Sequence, residues 1–236
     1  MKFTYYGHAC FSIEVAGKTL LFDPFITPNE LAKDIDINSI KADYILLSHG
    51  HADHVADALA IAKNNDATIV SNYEIVSWYG AKHKYTKGHP MNHGGSWNFD
   101  FGKVKYVTAI HSSVLPDGTY GGNPGGFVVE TAEGNFYFAG DTALTLDMKL
   151  IPMFTKLDFA VLPVGDNFTM GIEEAIVASD FVACSKIIGV HFDTFGYIVV
   201  NHETAKASFA AKNKALILPK IGCLLYTSPS PRDTLL

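Results

Sequence analysis

Between Leu46 and Ala58 the chain reads LLSHGHADHVADA, with three histidines and two aspartates inside nine residues. Neutral imidazole and carboxylate are borderline-to-hard ligands suited to zinc, manganese, iron or nickel, provided several converge from rigid elements. His49, His51 and Asp53 are spaced by two, as in an extended segment, and His54 breaks that alternation. No single helix face therefore holds all four. A solvated helix start capped by Asp accounts for one aspartate, but not for three histidines together.

The segments around the motif indicate what positions it. ADYILLS before it is an apolar run of strand length, and HVADALAIAKNN after it places Val55, Leu59 and Ala62 at helical spacing. The motif then occupies a bend from a buried strand into a helix. Three later strands end on residues of the same chemistry: KVKYVTAI on His111, NFYFAG on Asp141 and SKIIGV on His191. A sheet edge that collects these strand ends collects seven candidate metal ligands, His49, His51, Asp53, His54, His111, Asp141 and His191.

Elsewhere, KFTYYG, CFSIEV and TLLFD form an antiparallel meander, ATIV a strand, and FVVETAEGNFYFAG a hairpin turning at Glu133 and Gly134. KLDFAVLPVG is a buried strand, while NYEIVSWYG, GIEEAIVASDFVAC and HETAKASFAAKNK are helices. KGHPMNHGGSWNFDFG reads as a Gly-rich loop region. The pairs Gly94-Gly95, Gly121-Gly122 and Gly125-Gly126 read as flexible backbone near the mouth of a site. Hairpins mixed with strand–helix alternation indicate a layered sheet-and-helix domain.

Composition narrows the partners. With 236 residues, 48% of them apolar, the chain supports one substantial core. A net charge of −6 without a Lys/Arg stripe lacks the field that gathers nucleic acid. The N-terminal MKFTYYGHACFSIEV lacks the zones of a secretory signal, and no apolar run of about 18 residues occurs. The expectation is a cytoplasmic protein acting on a small-molecule substrate, with neither a nucleic acid nor a membrane as partner; homo-oligomerisation is left open. Cys10, Cys184 and Cys223 are odd in number and widely spaced, so no disulfide framework or thiolate metal site is indicated. Cys10 and Cys184 read as small buried hydrophobes.

HGHADH at 49–54 matches the His-x-His-x-Asp-His motif of the metallo-β-lactamase superfamily, and His111, Asp141 and His191 follow in that superfamily's order. YYGHACF, LLFDPFITPN, GHPMNHGG, HSS, GNPGGF, AGDTAL with DMKL, and PVGDNFTMG resemble one branch of it, small prokaryotic proteins described only as metal-dependent hydrolases. The resemblance covers residues 1–222. It implies a four-layer αβ/βα sandwich, an α/β (α+β) fold of two mixed sheets face to face with helices outside. It further implies a cofactor of two divalent transition metal ions, zinc being the first choice and manganese, iron or nickel the alternatives. His49, His51 and His111 would hold one ion, Asp53, His54 and His191 the other, and Asp141 would bridge them. The implied reaction is attack by a metal-bridged hydroxide on an ester-like bond (ester, lactone, phosphodiester or thioester) in a small molecule. An RNA-processing nuclease shares the motif but would want a basic groove, and a non-catalytic metal-binding protein is the third alternative.

Other residues gain roles from the same resemblance. Asp53 and His8 are the candidate catalytic side chains, with a substrate-facing or supporting role open for His8. Asp23, in FDPF, is expected to organise the site from beneath by accepting hydrogen bonds. Asp166, Asn167 and Thr169, in the Gly-bounded GDNFTMG, are candidate substrate contacts, although a helix cap and turn would explain them equally well. His83, His89, His93 and His202 fall outside the ligand pattern and read as surface histidines, and Asp57 as a solvated helix residue. From Cys223 onward, CLLYTSPSPRD resembles a translated sequencing adapter, so 223–236 is set apart from the hydrolase domain at 1–222 as a non-native tail.

Overall fold

The computed structural model describes residues 1–226. Two seven-stranded sheets form the centre. In the first, β1 (Lys2–Gly7), β2 (Cys10–Val15) and β3 (Lys18–Phe22) run antiparallel as the expected meander. Next to them β4 (Tyr44–Leu46), β5 (Thr68–Asn72) and β6 (Gly88–Met91) pair parallel. Two short helices, α1 (Ala52–Val55) and α2 (Ala58–Asn65), join β4 to β5, and α3 (Tyr73–His83) joins β5 to β6.

The second sheet repeats the plan. β7 (Ser96–Phe99), β8 (Gly102–Thr108), β9 (Gly125–Thr131) and β10 (Gly134–Phe138) are antiparallel. β11 (Phe159–Pro163), β12 (Lys186–Val190) and β13 (Ala215–Ile217) continue it in parallel. α4 (Ile172–Phe181) and α5 (His202–Ala210) are its crossover helices. β14 (Leu224–Tyr226) then returns to the free edge of β1. Of the segment 223–236 these are the last residues described, and 227–236 lie outside the described residues.

Alternation along the strands explains the face-to-face packing. Phe3, Phe11 and Phe22 from the first sheet meet Phe127, Phe136 and Phe138 from the second in one buried cluster. Phe22 packs edge-on against Phe127, Phe136 and Phe138 with centroids 5.5–6.3 Å apart. A smaller cluster, including Ile45, Ile61, Ile69 and Ile75, lies beneath α2 and α3. With helices outside both sheets, the four-layer sandwich expected from the sequence is observed.

Three local readings are corrected. The Gly-rich region expected as a loop holds the edge strands β6 and β7, because their few apolar residues alternate too weakly to read as strands. Gly125 and Gly126 lie buried inside β9 rather than at a flexible mouth: a Cβ on Gly125 would stand 2.3 Å from the Tyr106 ring, and one on Gly126 2.6 Å from the Phe138 carbonyl. Asp57 is buried, not solvated. It interrupts the expected single helix, and its Oδ2 accepts hydrogen bonds from the Ile26 and Thr27 amides at 2.6 and 2.9 Å. The four outlying histidines are half-buried, and His93 stacks on Tyr106 with centroids 5.0 Å apart. Cys10 and Cys184 are buried free thiols, as expected.

Replacing Phe22 by Ala removes an aromatic ring from the seam between the sheets. About 3–5 kcal/mol of stability should be lost, read as a lowered urea midpoint without change in slope.

Candidate metal centre

The ends of β4, β8, β10 and β12 come together on one edge of the sandwich. His49, His51, Asp53 and His54 follow β4, His111 follows β8, Asp141 follows β10, and His191 follows β12. Backbone bonds between the sheets hold this edge closed. The Ser48 carbonyl accepts from the Gly125 amide at 3.0 Å and the Tyr106 hydroxyl at 3.0 Å, and the His8 carbonyl accepts from the His191 amide at 2.8 Å.

The seven candidates form two adjoining groups. His49, His51 and His111 bring ring nitrogens within 4.8 Å of one another, and a carboxylate oxygen of Asp53 lies equally close to nitrogens of His54, His191 and His8. Asp141 Oδ2 lies between the groups, 3.1 Å from His191 Nε2, 3.2 Å from His54 Nε2, 3.6 Å from His111 Nε2 and 3.9 Å from His49 Nε2. His49, His54, Asp141 and His191 are buried, whereas His51, Asp53 and His111 are half-buried and line the opening.

Asp23 sets the orientation of two of these rings. Its Oδ1 accepts from the Ser48 amide at 2.7 Å, and its Oδ2 accepts from the Ser48 hydroxyl at 2.5 Å and from His54 Nδ1 at 2.8 Å. Since the Ser48 proton goes to Asp23, Ser48 Oγ must accept from His49 Nδ1, 2.9 Å away. His49 and His54 each thereby turn Nε2 toward the cluster, the arrangement by which a hydrogen-bonded neighbour fixes the tautomer of a metal-ligating histidine. His51 has Nδ1 2.9 Å from His49 Nε2 and Nε2 3.3 Å from the Ser112 hydroxyl. His8 Nε2 lies 3.1 Å from Asp53 Oδ2. A carboxylate accepts only, so His8 donates through Nε2 and its Nδ1 accepts from the Thr194 hydroxyl at 3.0 Å.

Burial and mutual charge shift these groups strongly. Burial pushes His8 down to about 4, against the opposing pull of Asp53, and holds His49 well below the usual imidazole range with help from His54. Burial also lowers His51 and His111. For His54 burial works downward too, but Asp141, Asp53 and Asp23 together raise it well above its ordinary value. Burial would lift Asp141, yet His191 and His54 hold it well below the carboxylate range. Asp23, fully buried, moves up because desolvation outweighs its bonds to His54 and Ser48.

Three buried polar atoms here make no hydrogen bond: His54 Nε2, His191 Nδ1 and Asp141 Oδ1. Buried polar atoms ordinarily find partners, and a cluster of imidazole and carboxylate atoms left without them fits a transition metal ion. His8, Asp23 and His191 also adopt left-handed backbone, with φ of 54°, 39° and 56°. Such strain in non-glycine residues gathers at functional sites.

The candidate substrate contacts lie in the loop that leads into α4. Asp166 caps the Asn167 amide through Oδ1 at 2.7 Å and lines a groove of about 670 Å³ between the starts of α4 and α5. Asn167 is exposed, and the Thr169 hydroxyl donates to the Met170 carbonyl at 3.4 Å. Their loop still touches the site's backbone, since the Met170 amide donates to the Thr142 carbonyl beside Asp141. Ser48 and Thr194 gain no role from the sequence, and Ser112 enters only as part of HSS. Ser48 had a signal in its position directly before His49, whereas Thr194 is 186 residues from the ring it orients and had none.

Residues 2–191 match the family model described as the beta-lactamase superfamily domain. A metal-dependent hydrolase of Flavobacterium johnsoniae is 64% identical over 222 residues, covering 94% of this chain and 98% of its own length. One from Christiangramia forsetii is 62% identical over 223 residues, with the same coverage. Among solved structures, Igni18, a metallo hydrolase from the hyperthermophilic archaeon Ignicoccus hospitalis, superimposes with a TM-score of 0.85 at 30% identity, covering 95% of this chain and 97% of its own.

Two outcomes test the cluster's chemistry. Asp23→Asn should weaken metal binding roughly 10- to 100-fold, read by competition with a chromogenic chelator. Because the raised His54 proton must leave before a cation takes its lone pair, affinity should fall as pH falls, by up to about tenfold per pH unit for each proton displaced. Affinity that stays flat with pH contradicts this reading.

Proposed function

The chain belongs to the beta-lactamase superfamily domain family and is a metal-dependent hydrolase, and from that premise we propose that it cleaves an ester-like bond in a small molecule at a two-metal centre. The observation that carries the proposal is Asp141, whose Oδ2 lies within 3.9 Å of a nitrogen from His49, His54, His111 and His191, so that it faces both histidine groups. His49, His51 and His111 would hold one ion, Asp53, His54 and His191 the second, and Asp141 faces both groups. When bound, the ions supply an acidified water and Lewis acidity toward the bond being cut. Zinc suits this mixed imidazole–carboxylate set, and manganese, iron and nickel are the alternatives.

The side chains supply orientation and proton handling. Asp53 is the half-buried carboxylate at the opening, kept ionised by His54 and His8 although its burial works the other way. It is the group placed to accept a hydrogen bond from the attacking water and to pass a proton toward the leaving oxygen. In the overall reaction water's oxygen joins the acyl carbon, the carbon–oxygen bond to the leaving group breaks, and the alcohol departs with a proton. His8, neutral because burial lowers it to about 4, donates to Asp53 and fixes that carboxylate's direction. It acts through Asp53, with Thr194 holding its ring.

Elemental analysis of the purified protein should give close to two transition metals per chain. Alanine at His51 or at Asp141 should remove both occupancy and turnover, by more than the roughly 10- to 100-fold that changing a ligand's hydrogen-bonding neighbour brings. Full activity in either variant with one metal or none would sink the two-metal reading.

A further inference from the structure

The loops that build the centre carry an unusual charge pattern. The chain has 18 Lys and Arg residues, yet none falls in 7–9, 23–32, 47–57, 109–124, 139–146, 164–171 or 191–201. These are the segments that hold the ligand set, its supporting residues and their immediate surroundings. A phosphate or carboxylate group on a substrate is ordinarily clamped by Arg or Lys, and these loops provide neither.

They provide exposed apolar surface instead. Phe195, 38% exposed, packs edge-on against His8 with centroids 5.3 Å apart and tilts against Phe25 at 6.3 Å. Tyr197, two residues on, is 77% exposed and meets the exposed Phe168 edge-on at 6.1 Å. On the His111 side Ile110 is exposed, and Tyr120 is exposed in the loop whose Ser113 hydroxyl accepts from the Gly50 amide between His49 and His51. Large apolar side chains left on the surface beside a polar centre mark a binding surface.

Resting on the hydrolase reading above, we infer that the substrate is an uncharged carboxylic ester or lactone whose apolar acyl or aryl group lies on the wall formed by Phe195, Tyr197 and Phe168. A substrate with an anionic group held away from the reacting bond, which would ask for a Lys or Arg clamp beyond the metals' reach, is disfavoured by the same rim. The aromatic wall stands on the His8 and His191 side, so the apolar group extends from the Asp53 end of the centre. His51 and His111 then face the leaving group's exit.

The test uses the full-length, zinc-loaded protein and a series of alkyl hydroxamates from acetohydroxamate to octanohydroxamate, with binding measured calorimetrically. The hydroxamate head is common to the series, so the chain-length dependence reads the wall alone. Affinity should rise roughly two- to fourfold per added methylene over the first several carbons. That rise should be at least halved in a Phe195→Ala, Tyr197→Ala double variant and in a Phe168→Ala, Tyr197→Ala variant that leaves the ring against His8 in place. In parallel, turnover of p-nitrophenyl octanoate should exceed that of bis(p-nitrophenyl) phosphate. A flat hydroxamate series, or faster cleavage of the phosphodiester, overturns the inference while leaving the hydrolase reading intact. Tightening along the series without turnover of any ester supports the apolar wall and removes the ester reading instead.

Discussion

Everything at the centre depends on a buried carboxylate that is not among the seven candidate ligands. Asp23 sits at the end of β3 with left-handed backbone, wholly inside the protein, and spends both oxygens on Ser48 and His54. Desolvating a carboxylate is costly unless hydrogen bonds compensate it, and three donors offset part of that cost here. In satisfying Asp23, Ser48 and His54 lose their rotational freedom, and His49 is fixed in turn through Ser48 Oγ. One buried charge thus aims two imidazoles from below, out of reach of substrate.

Above it the electrostatics are those of a cation's socket. The carboxylates around His54 draw a proton to it against the resistance of burial, and two histidines hold Asp141 ionised in a place where desolvation opposes charge. Positive charge is therefore favoured at the point between the two groups, and neutral imidazoles are favoured around it. His8 adjoins this socket, grouped with Asp53, His54 and His191, and burial disfavours its charged form. On the proposed reading it is a neutral donor to Asp53 that positions the carboxylate.

Much of this was legible in the chain because metal ligation leaves a local signature. The alternation of His49, His51 and Asp53, broken at His54, is the footprint of a strand end turning into a helix, and it places four candidate ligands without any three-dimensional information. His111, Asp141 and His191 were findable because each ends an apolar run. Asp57 was misread because its partners, the Ile26 and Thr27 amides, lie about thirty residues earlier, and periodicity carries no knowledge of them. β6 and β7 escaped for a related reason: they are edge strands with few buried positions, so burial wrote little pattern into GHPM and SWNF. Gly125 and Gly126 looked like hinges when they are clearances for the Tyr106 ring and the Phe138 carbonyl. The apolar rim was visible only once the loops had been brought together.

The two sheets share one plan, antiparallel strands followed by parallel ones, and they divide the site between them. His49, His51, Asp53 and His54 belong to the first sheet, His111, Asp141 and His191 to the second, and each of the two ligand groups draws on both. Neither half of the chain owns a complete group of candidate ligands. On the two-metal proposal the centre would work as a caliper on the separation of the sheets: a bound ion would register whether the Phe-lined seam is closed, and any breathing of that seam would loosen both ions together. Occupancy and inter-sheet adhesion would then be two readings of a single free energy.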